Sequence, residues 1–342
     1  MSERRRRSDG SRPTLRDVAQ RAGVSTATVS RTMNAPAAVS GALRDRVRAA
    51  AAALAFVPDQ AARSLSSRHS RLIGVLAPSL RDPGWATAIA AMEARLANAG
   101  YALLLGLTGG GAEREDSVAA AMAGRGVEAV VAIGHAPAAG TRAQLSARGI
   151  PLAEVDADDA GAGASGAAAR AGCGRAGHAL GLYLAGLGHD RCAWVAGGGE
   201  APARARAAAV RAGVAAALAE AGCTPLADLP RDGRDRIRAA LAAPEPRPTA
   251  LICTDDALAL AMLCELAAAG VAVPRDVSVT GCGDTAAGRC AVPPLTTLRL
   301  PFAAAGAAAA DAVLARLRGD PVVAPAFGVK LVIRQSTGPV AA

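Results

Sequence analysis

The sequence predicts an α/β chain in which a small all-α helix-turn-helix module precedes a larger domain of two lobes built on doubly wound parallel sheets. Three observations carry that expectation. Residues 14–31 read as two short amphipathic helices around a glycine turn, the net positive charge is confined to residues 1–71, and from Leu72 onward short apolar runs alternate with alanine-rich helical stretches. The 342 residues divide into a basic arm over 1–12, expected to be disordered, a helix-turn-helix domain over 13–58, a hinge or linker over 59–71, and the two-lobed domain over 72–342.

The first helix begins where Thr14 and Asp17 have the spacing of a capping box: the hydroxyl can accept from the Asp17 amide while the carboxylate reaches back to the Thr14 amide. Leu15, Val18, Ala19 and Ala22 then share one face. Gly23 supplies the turn, because a residue without a β-carbon reverses the chain at little steric cost. Ser25 caps the second helix, and Val24 is placed to pack on Val29 as a hydrophobic staple. A third helix is expected from Ser40 to Leu54, with Leu43, Val47, Ala50 and Leu54 aligned. Three such helices around one core form a unit whose second helix reads DNA.

Charge separates this reading from an ordinary helical hairpin. Residues 1–71 hold 14 arginines, no lysine and 5 acidic residues, an excess of +9, whereas the rest of the chain holds 24 basic and 24 acidic residues. Arginines that neutralise phosphates release counterions, so the asymmetry points to a polyanionic partner whose binding weakens with salt. For Arg4 to Arg7 the competing reading is a solvated tail.

Beyond the hinge, Leu72–Ala77 reads as a buried strand between turn signals, followed by a helix from about Trp85 to Ala99. Further strands are expected near 101–105, 129–133, 152–155, 192–196, 250–253 and 278–281, each separated by a helical stretch. Strand-then-helix order implies parallel sheets covered on both faces. About 270 residues are too many for one comfortable core and suit two lobes. With aromatic residues at 2% of the chain, those cores must rest on Leu, Val, Ile and Ala.

The run Thr14 to Arg31, with Val39-Ser40, Arg44, Val47, Ala50-Ala51 and Phe56 to Leu65, resembles the amino-terminal signature of the lactose-repressor (LacI/GalR) family of transcription regulators. Leu187-Gly188-His189, Asp255-Asp256, Val273-Pro274, Asp276 to Val279 and Pro294 to Thr297 extend the resemblance over nearly the full length. It implies a periplasmic-binding-protein-like effector domain whose lobes are joined by three crossovers, here near 155–172, 284–294 and 322–326. Lobe 1 then spans about 72–156 and 295–322, and lobe 2 about 172–284 and 327–336. The resemblance also implies base reading by Thr26, Ala27 and Arg31. Thr26 and Ala27 offer only a hydroxyl and a methyl, and Arg31 is the one strong polar reader. Thr14, Ser25, Thr28 and Ser30 are the candidates for contact with the DNA backbone. Residues 59–67 are too short to be a stable helix alone. In the family the matching segment folds on DNA as a hinge helix, with Leu65 as the minor-groove wedge and Arg63 drawn to the negative groove.

Ligands in open α/β sheets bind beyond the carboxyl ends of strands, so the cleft between lobes is the expected effector site. Asp82, Trp85, Arg204, Arg206, Asp255, Asp284 and Phe302 are its candidate residues, each of which also reads as a cap, a surface charge or a core aromatic. Three positions depart from the family pattern: Gly172 stands for the usual cleft aspartate, Val210 for the usual arginine, and Gly283 for the first aspartate of a turn that retains Asp284. A polar clamp on sugar hydroxyls is thereby weakened. A different small molecule, a ligand held by relocated groups such as Arg175, Arg204, Arg206 and Asp284, and an unused cleft all remain open.

Enzyme chemistry finds little footing. The glycine triplets at 109–111 and 197–199 lack the Lys-Ser/Thr and the G-x-G-x-x-G spacing of phosphate loops, and no G-x-S-x-G elbow occurs. Four scattered histidines form no H-E-x-x-H site, and His189 reads as a structural turn residue. Seven cysteines without a C-x-x-C fit reduced, mostly buried thiols, although Cys282 at the altered turn leaves a thiol-sensing role open. Arg4 to Arg7 run into polar sequence with no apolar leader, which argues against an exported solute-binding protein and for a cytoplasmic one. No segment is expected to span a membrane. The expected function is a sequence-specific DNA-binding regulator, a repressor, that binds a pseudo-palindromic double-stranded operator as a homodimer under control of a sugar-like or other small effector, with no cofactor or metal. Control by a protein partner or without effector is the alternative, and an enzyme on a two-lobed scaffold the remote one.

Overall fold

The computed structural model describes residues 13–57, 69–134, 136–155, 164–197, 201–229, 247–322 and 327–340. The chain forms two compact units, Met1–Ser70 and Arg71–Ala342. The expected basic arm and the expected hinge helix, with Arg63 and Leu65, lie outside the described residues.

In the first unit, α1 (Leu15–Ala22) and α2 (Thr26–Asn34) are followed by a 3-10 turn (Pro36–Ala38) and α3 (Gly41–Ala53). Asp17 Oδ2 accepts both the amide and the hydroxyl of Thr14, at 2.8 and 2.7 Å, which fixes the start of α1. Gly23 ends it at φ 63°, a left-handed conformation that costs glycine least. Val18, Ala19, Ala22, Val29, Val47 and Ala50 form the core, with Leu15, Val24, Leu43, Leu54 and Phe56 packed around it. The staple of Val24 and the third-helix face expected from spacing both enter this one cluster.

The second unit opens with β1 (Leu72–Ala77), α4 (Pro83–Asn98), β2 (Ala102–Leu107), α5 (Ala112–Gly124), β3 (Ala129–Ile133), α6 (Ala139–Ala147) and β4 (Leu152–Val155). These strands make a parallel sheet in the order β2-β1-β3-β4, the core of lobe 1. Then follow α7 (Ala164–Gly186), β5 (Cys192–Val195), α8 (Ala201–Glu220), β6 (Ala227–Leu229), β7 (Ala250–Cys253), α9 (Asp256–Ala268), β8 (Ser278–Cys282), α10 (Ala286–Arg289), β9 (Thr296–Arg299), α11 (Phe302–Arg318) and β10 (Lys330–Val332). Lobe 2 is a sheet in the order β10-β9-β8-β7-β5-β6.

Each sheet is covered on both faces. In lobe 1, Ile73, Val75, Trp85, Met92, Val131 and Val313 fill one side, and Leu76, Met122, Val130 and Leu145 the other. Lobe 2 has one cluster under α7 and α8 and a second under α9.

One expected boundary needs correction. A boundary at 295 puts Thr296–Arg299 in lobe 1, but β9 pairs with β8 in the lobe 2 sheet, so the chain returns to lobe 1 only at α11. The reason is that Thr296 and Thr297 are wholly buried by side-chain hydrogen bonds within lobe 2. The parallel arrangement expected for both sheets holds through β9, and β10, too short for a pattern of its own, adds an antiparallel edge to lobe 2.

Candidate functional site

Helix α2 presents the reading surface. Its inner face is anchored by Val29, fully buried, and by Thr32, whose hydroxyl donates to the Thr28 carbonyl at 2.8 Å. With that face fixed, Thr26, Ala27 and Arg31 are exposed, and Ala27 and Arg31 lie one turn apart on the outer side. Ser25 Oγ accepts the Thr28 amide at 3.1 Å and sits 2.9 Å from the Thr28 hydroxyl, so the cap and the first turn are mutually ordered. No acidic residue occupies that turn, and the positive end of the helix dipole is left for an anion. Thr14 is different: both its polar hydrogens go to Asp17, so a phosphate must replace that carboxylate to reach them.

Four of the cleft candidates meet in one place. Asp82 caps α4, its Oδ1 accepting the Gly84 amide at 2.8 Å, while Oδ2 accepts from Arg206 Nη2 at 2.7 Å. Asp82 belongs to lobe 1, and Arg206 comes from α8 of lobe 2. The Arg206 guanidinium lies 4.6 Å from the centroid of the Trp85 ring and 5.2 Å from that of Phe302. Those two rings meet edge to face, 5.4 Å apart at 79°. Helix α11 returns Phe302 to α4, and the ring reaches the backbone because residue 84 is glycine: a β-carbon there would stand 2.3 Å from ring atoms.

The remaining candidates do other things. Asp255 is half-buried at the start of α9, where Oδ1 accepts the Leu258 amide at 2.8 Å. Arg204 is exposed, two residues before Arg206 and therefore on a different side of α8. Asp284 is an internal clamp. Its Oδ1 accepts from Arg334 and its Oδ2 from Arg299, each at 2.5 Å, and its carbonyl accepts from Arg289 at 2.6 Å. Burial alone would raise its pKa, yet the hydrogen bonds from Arg334 and Arg299 outweigh it and hold the carboxyl below the usual range. A ligand would have to compete with three arginines for this group. Of the departing positions, Val210 is 4% exposed and packs in the lobe 2 core, and Gly172 is buried against Val329.

Asp256, which enters the sequence analysis only within the Asp255-Asp256 doublet, has a role of its own. It is 1% exposed; Oδ1 accepts from the Thr297 hydroxyl at 2.6 Å, and Oδ2 from the amide and hydroxyl of Thr285 at 2.6 and 3.0 Å. The signal was the doublet itself, since only one of two adjacent carboxylates can cap the helix that follows. His189 binds the Gly338 carbonyl through Nε2 at 3.0 Å, as a structural turn residue does. Burial, with Cys173 and Asp256 adding to it, raises the Cys282 thiol above its ordinary pKa and disfavours the thiolate.

A helix-turn-helix with an exposed reading face, joined in one chain to a two-lobed α/β unit with charged and aromatic groups in its cleft, defines a ligand-responsive DNA-binding regulator. Comparisons with known proteins agree. The family model for bacterial regulatory proteins of the lacI family matches residues 14–59, and that for a periplasmic binding protein-like domain matches residues 182–337. The HTH-type transcriptional regulator GntR of Pseudomonas aeruginosa is 31% identical over 341 residues, covering 95% of this chain and 96% of that protein. The HTH-type transcriptional repressor PurR of Escherichia coli O139:H28 is 32% identical over 309 residues, covering 89% and 90%. Among solved structures, the Lac repressor dimer bound to operator and an anti-inducer superposes with a TM-score of 0.75 at 27% identity, covering 96% of this chain and 100% of that one. The chain belongs to the lacI family of bacterial transcriptional regulators. It is a DNA-binding regulator with an effector-binding domain, and not an enzyme. Among the described residues, no helix is long and apolar enough to cross a membrane.

Proposed function

We propose that this protein is a repressor that binds a pseudo-palindromic operator as a homodimer in the cytoplasm, with Thr26, Ala27 and Arg31 reading base edges and Ser25, Thr28 and Ser30 positioning the helix on phosphates. The observation that carries the reading is α2 itself: buried by Val29 on one side, exposed at Thr26, Ala27 and Arg31 on the other, in a segment, residues 1–71, that holds the whole net charge. One module makes few base contacts, and two-fold symmetry doubles them. Thr14 joins the contact with the DNA backbone, Arg63 and Leu65 act in the minor groove, and Asp82, Trp85, Arg206 and Phe302 form the effector cleft, with Asp255, Asp284 and Arg204 at its margin. Effector occupancy changes lobe closure, and by linkage the effector and DNA affinities alter one another by the same factor. Genome-wide footprinting tests the reading: discrete palindromic sites are expected, and equal affinity for random and palindromic DNA at physiological salt would refute it.

A second reading, the same regulator working without a small molecule, is favoured by one observation: Arg206 already occupies the cleft. Thermal shift against a metabolite panel separates the two, because a ligand that binds only the folded state must raise the unfolding temperature.

A further inference from the structure

The segment Asp82-Pro83-Gly84-Trp85 follows β1 and starts α4, with Pro83 in the first turn, where its missing amide hydrogen costs nothing. Asp82 spends one carboxylate oxygen on the cap and aims the other at the cleft, where it meets Arg206 at 2.7 Å. Trp85, 1% exposed, and Phe302 supply aromatic faces to the same guanidinium. A carboxylate plus two π-faces is a set of partners for a planar, delocalised and weakly hydrated cation.

We propose that the lobe 1 wall of the cleft is a guanidinium-recognition site, built from Asp82, Trp85 and Phe302 and occupied in the free protein by the chain's own Arg206, and that the effector is a guanidinium-bearing small molecule that takes its place. The proposal rests on the cleft being the effector site and gives that effector a chemical class. Arg206 is a tethered ligand: it stands on α8 of lobe 2, one helical turn before Val210, and reaches into lobe 1. Its side chain is 10% exposed and that of Asp82 is 23% exposed, so the contact is largely withdrawn from water and weakly screened by salt. A free guanidinium can repeat the contacts that Arg206 makes with Asp82, Trp85 and Phe302. A compact ammonium satisfies the carboxylate alone, since its strong hydration opposes stacking.

Calorimetric titration of the full chain with methylguanidinium and agmatine, at constant ionic strength, tests the site. The Arg206→Ala variant, checked for folding by circular dichroism, should bind methylguanidinium saturably at about millimolar concentration, and methylammonium roughly ten-fold more weakly. The wild type should bind both guanidinium probes roughly ten-fold or more weakly than the variant, because its own side chain competes. Adding Asp82→Asn to Arg206→Ala should abolish binding. Arg206→Gln, which keeps length without charge, serves if the alanine variant fails to fold. No saturable heat in a folded Arg206 variant, equal binding with and without Asp82, or equal binding of methylammonium overturns the site. Succinate that binds the wild type and loses affinity in Arg206→Ala overturns it also, because Arg206 would then be an anion receptor. If agmatine binds but leaves footprinted operator affinity unchanged, the site stands and the cleft's role as effector switch fails.

Discussion

Replacing Asp284 separates its clamping role from the ligand role that its position in the cleft turn suggested. Asp284→Asn is the informative substitution, because Asp284 sits at φ 52° and asparagine tolerates that left-handed conformation nearly as well as aspartate does. The change therefore removes charge while sparing the backbone. Two ionic hydrogen bonds are lost, to Arg334, whose side chain is 16% exposed, and to Arg299, at 52%. A charge-assisted bond contributes about 1.5–3 kcal/mol, and the Arg299 contact is discounted because water screens it. The sum is about 2–3 kcal/mol, which lowers the unfolding midpoint of a domain this size by roughly 5–10 °C. The effect has a signed pH dependence. Since the folded-state pKa is lowered, the carboxylate's stabilisation is complete above the unfolded value, about 3.9, and disappears as pH falls through the folded value. The gap between wild type and Asp284→Asn in urea unfolding should hold from pH 7 to about 5 and close below about 4. A stability loss under about 0.5 kcal/mol, or a gap that widens in acid, would refute the clamp.

Other substitutions probe the remaining parts. Arg31→Ala should weaken operator binding by about 1–3 kcal/mol and relax preference at one base pair, measured by competition against operator variants. Leu65→Ala should reduce specific affinity and DNA bending in a gel-shift phasing assay while leaving random-DNA affinity unchanged. Gly213→Ala should destabilise the protein by about 1–3 kcal/mol in urea, because its β-carbon would stand 2.0 Å from the Gly174 carbonyl where α8 crosses α7. A double-mutant cycle on Asp82→Asn and Arg206→Ala should give a coupling energy of about 1–2 kcal/mol in thermal unfolding, against near zero for independent residues.

The helix-turn-helix was legible in the sequence because local rules set it: the Thr14 and Asp17 cap, the Gly23 turn and the period of Val18, Ala22, Val47 and Ala50 all act within a few residues of one another. The strands of the effector domain were legible as apolar runs between turn signals, as at Leu72–Ala77 and Ala250–Cys253. Strands β6, β9 and β10 were not. They are three or four residues long, and β9 reads Thr-Thr-Leu-Arg, whose polar residues are buried only because Asp256, Ser336 and Thr337 lie across from them. The cleft was half legible. Position within the resemblance named Asp82, Trp85, Arg206 and Phe302, but only three-dimensional contact shows that Arg206 faces the other three. The same limitation hid the clamp at Asp284, since its partners Arg299 and Arg334 are distant in sequence and carry no pattern.

Under the proposed exchange, the tethered Arg206 also sets the concentration at which the regulator responds. A partly buried ion pair with two cation–π contacts is worth about 2–3 kcal/mol, so the cleft is vacant in roughly one molecule in 30 to 150. The apparent affinity of a free competitor falls by that fraction. A ligand with an intrinsic dissociation constant of about 10 μM then acts only near 0.3–1.5 mM. Such a threshold ignores trace metabolite and answers accumulation. Arg206 thus raises the concentration that a ligand's contacts with Asp82, Trp85 and Phe302 must overcome.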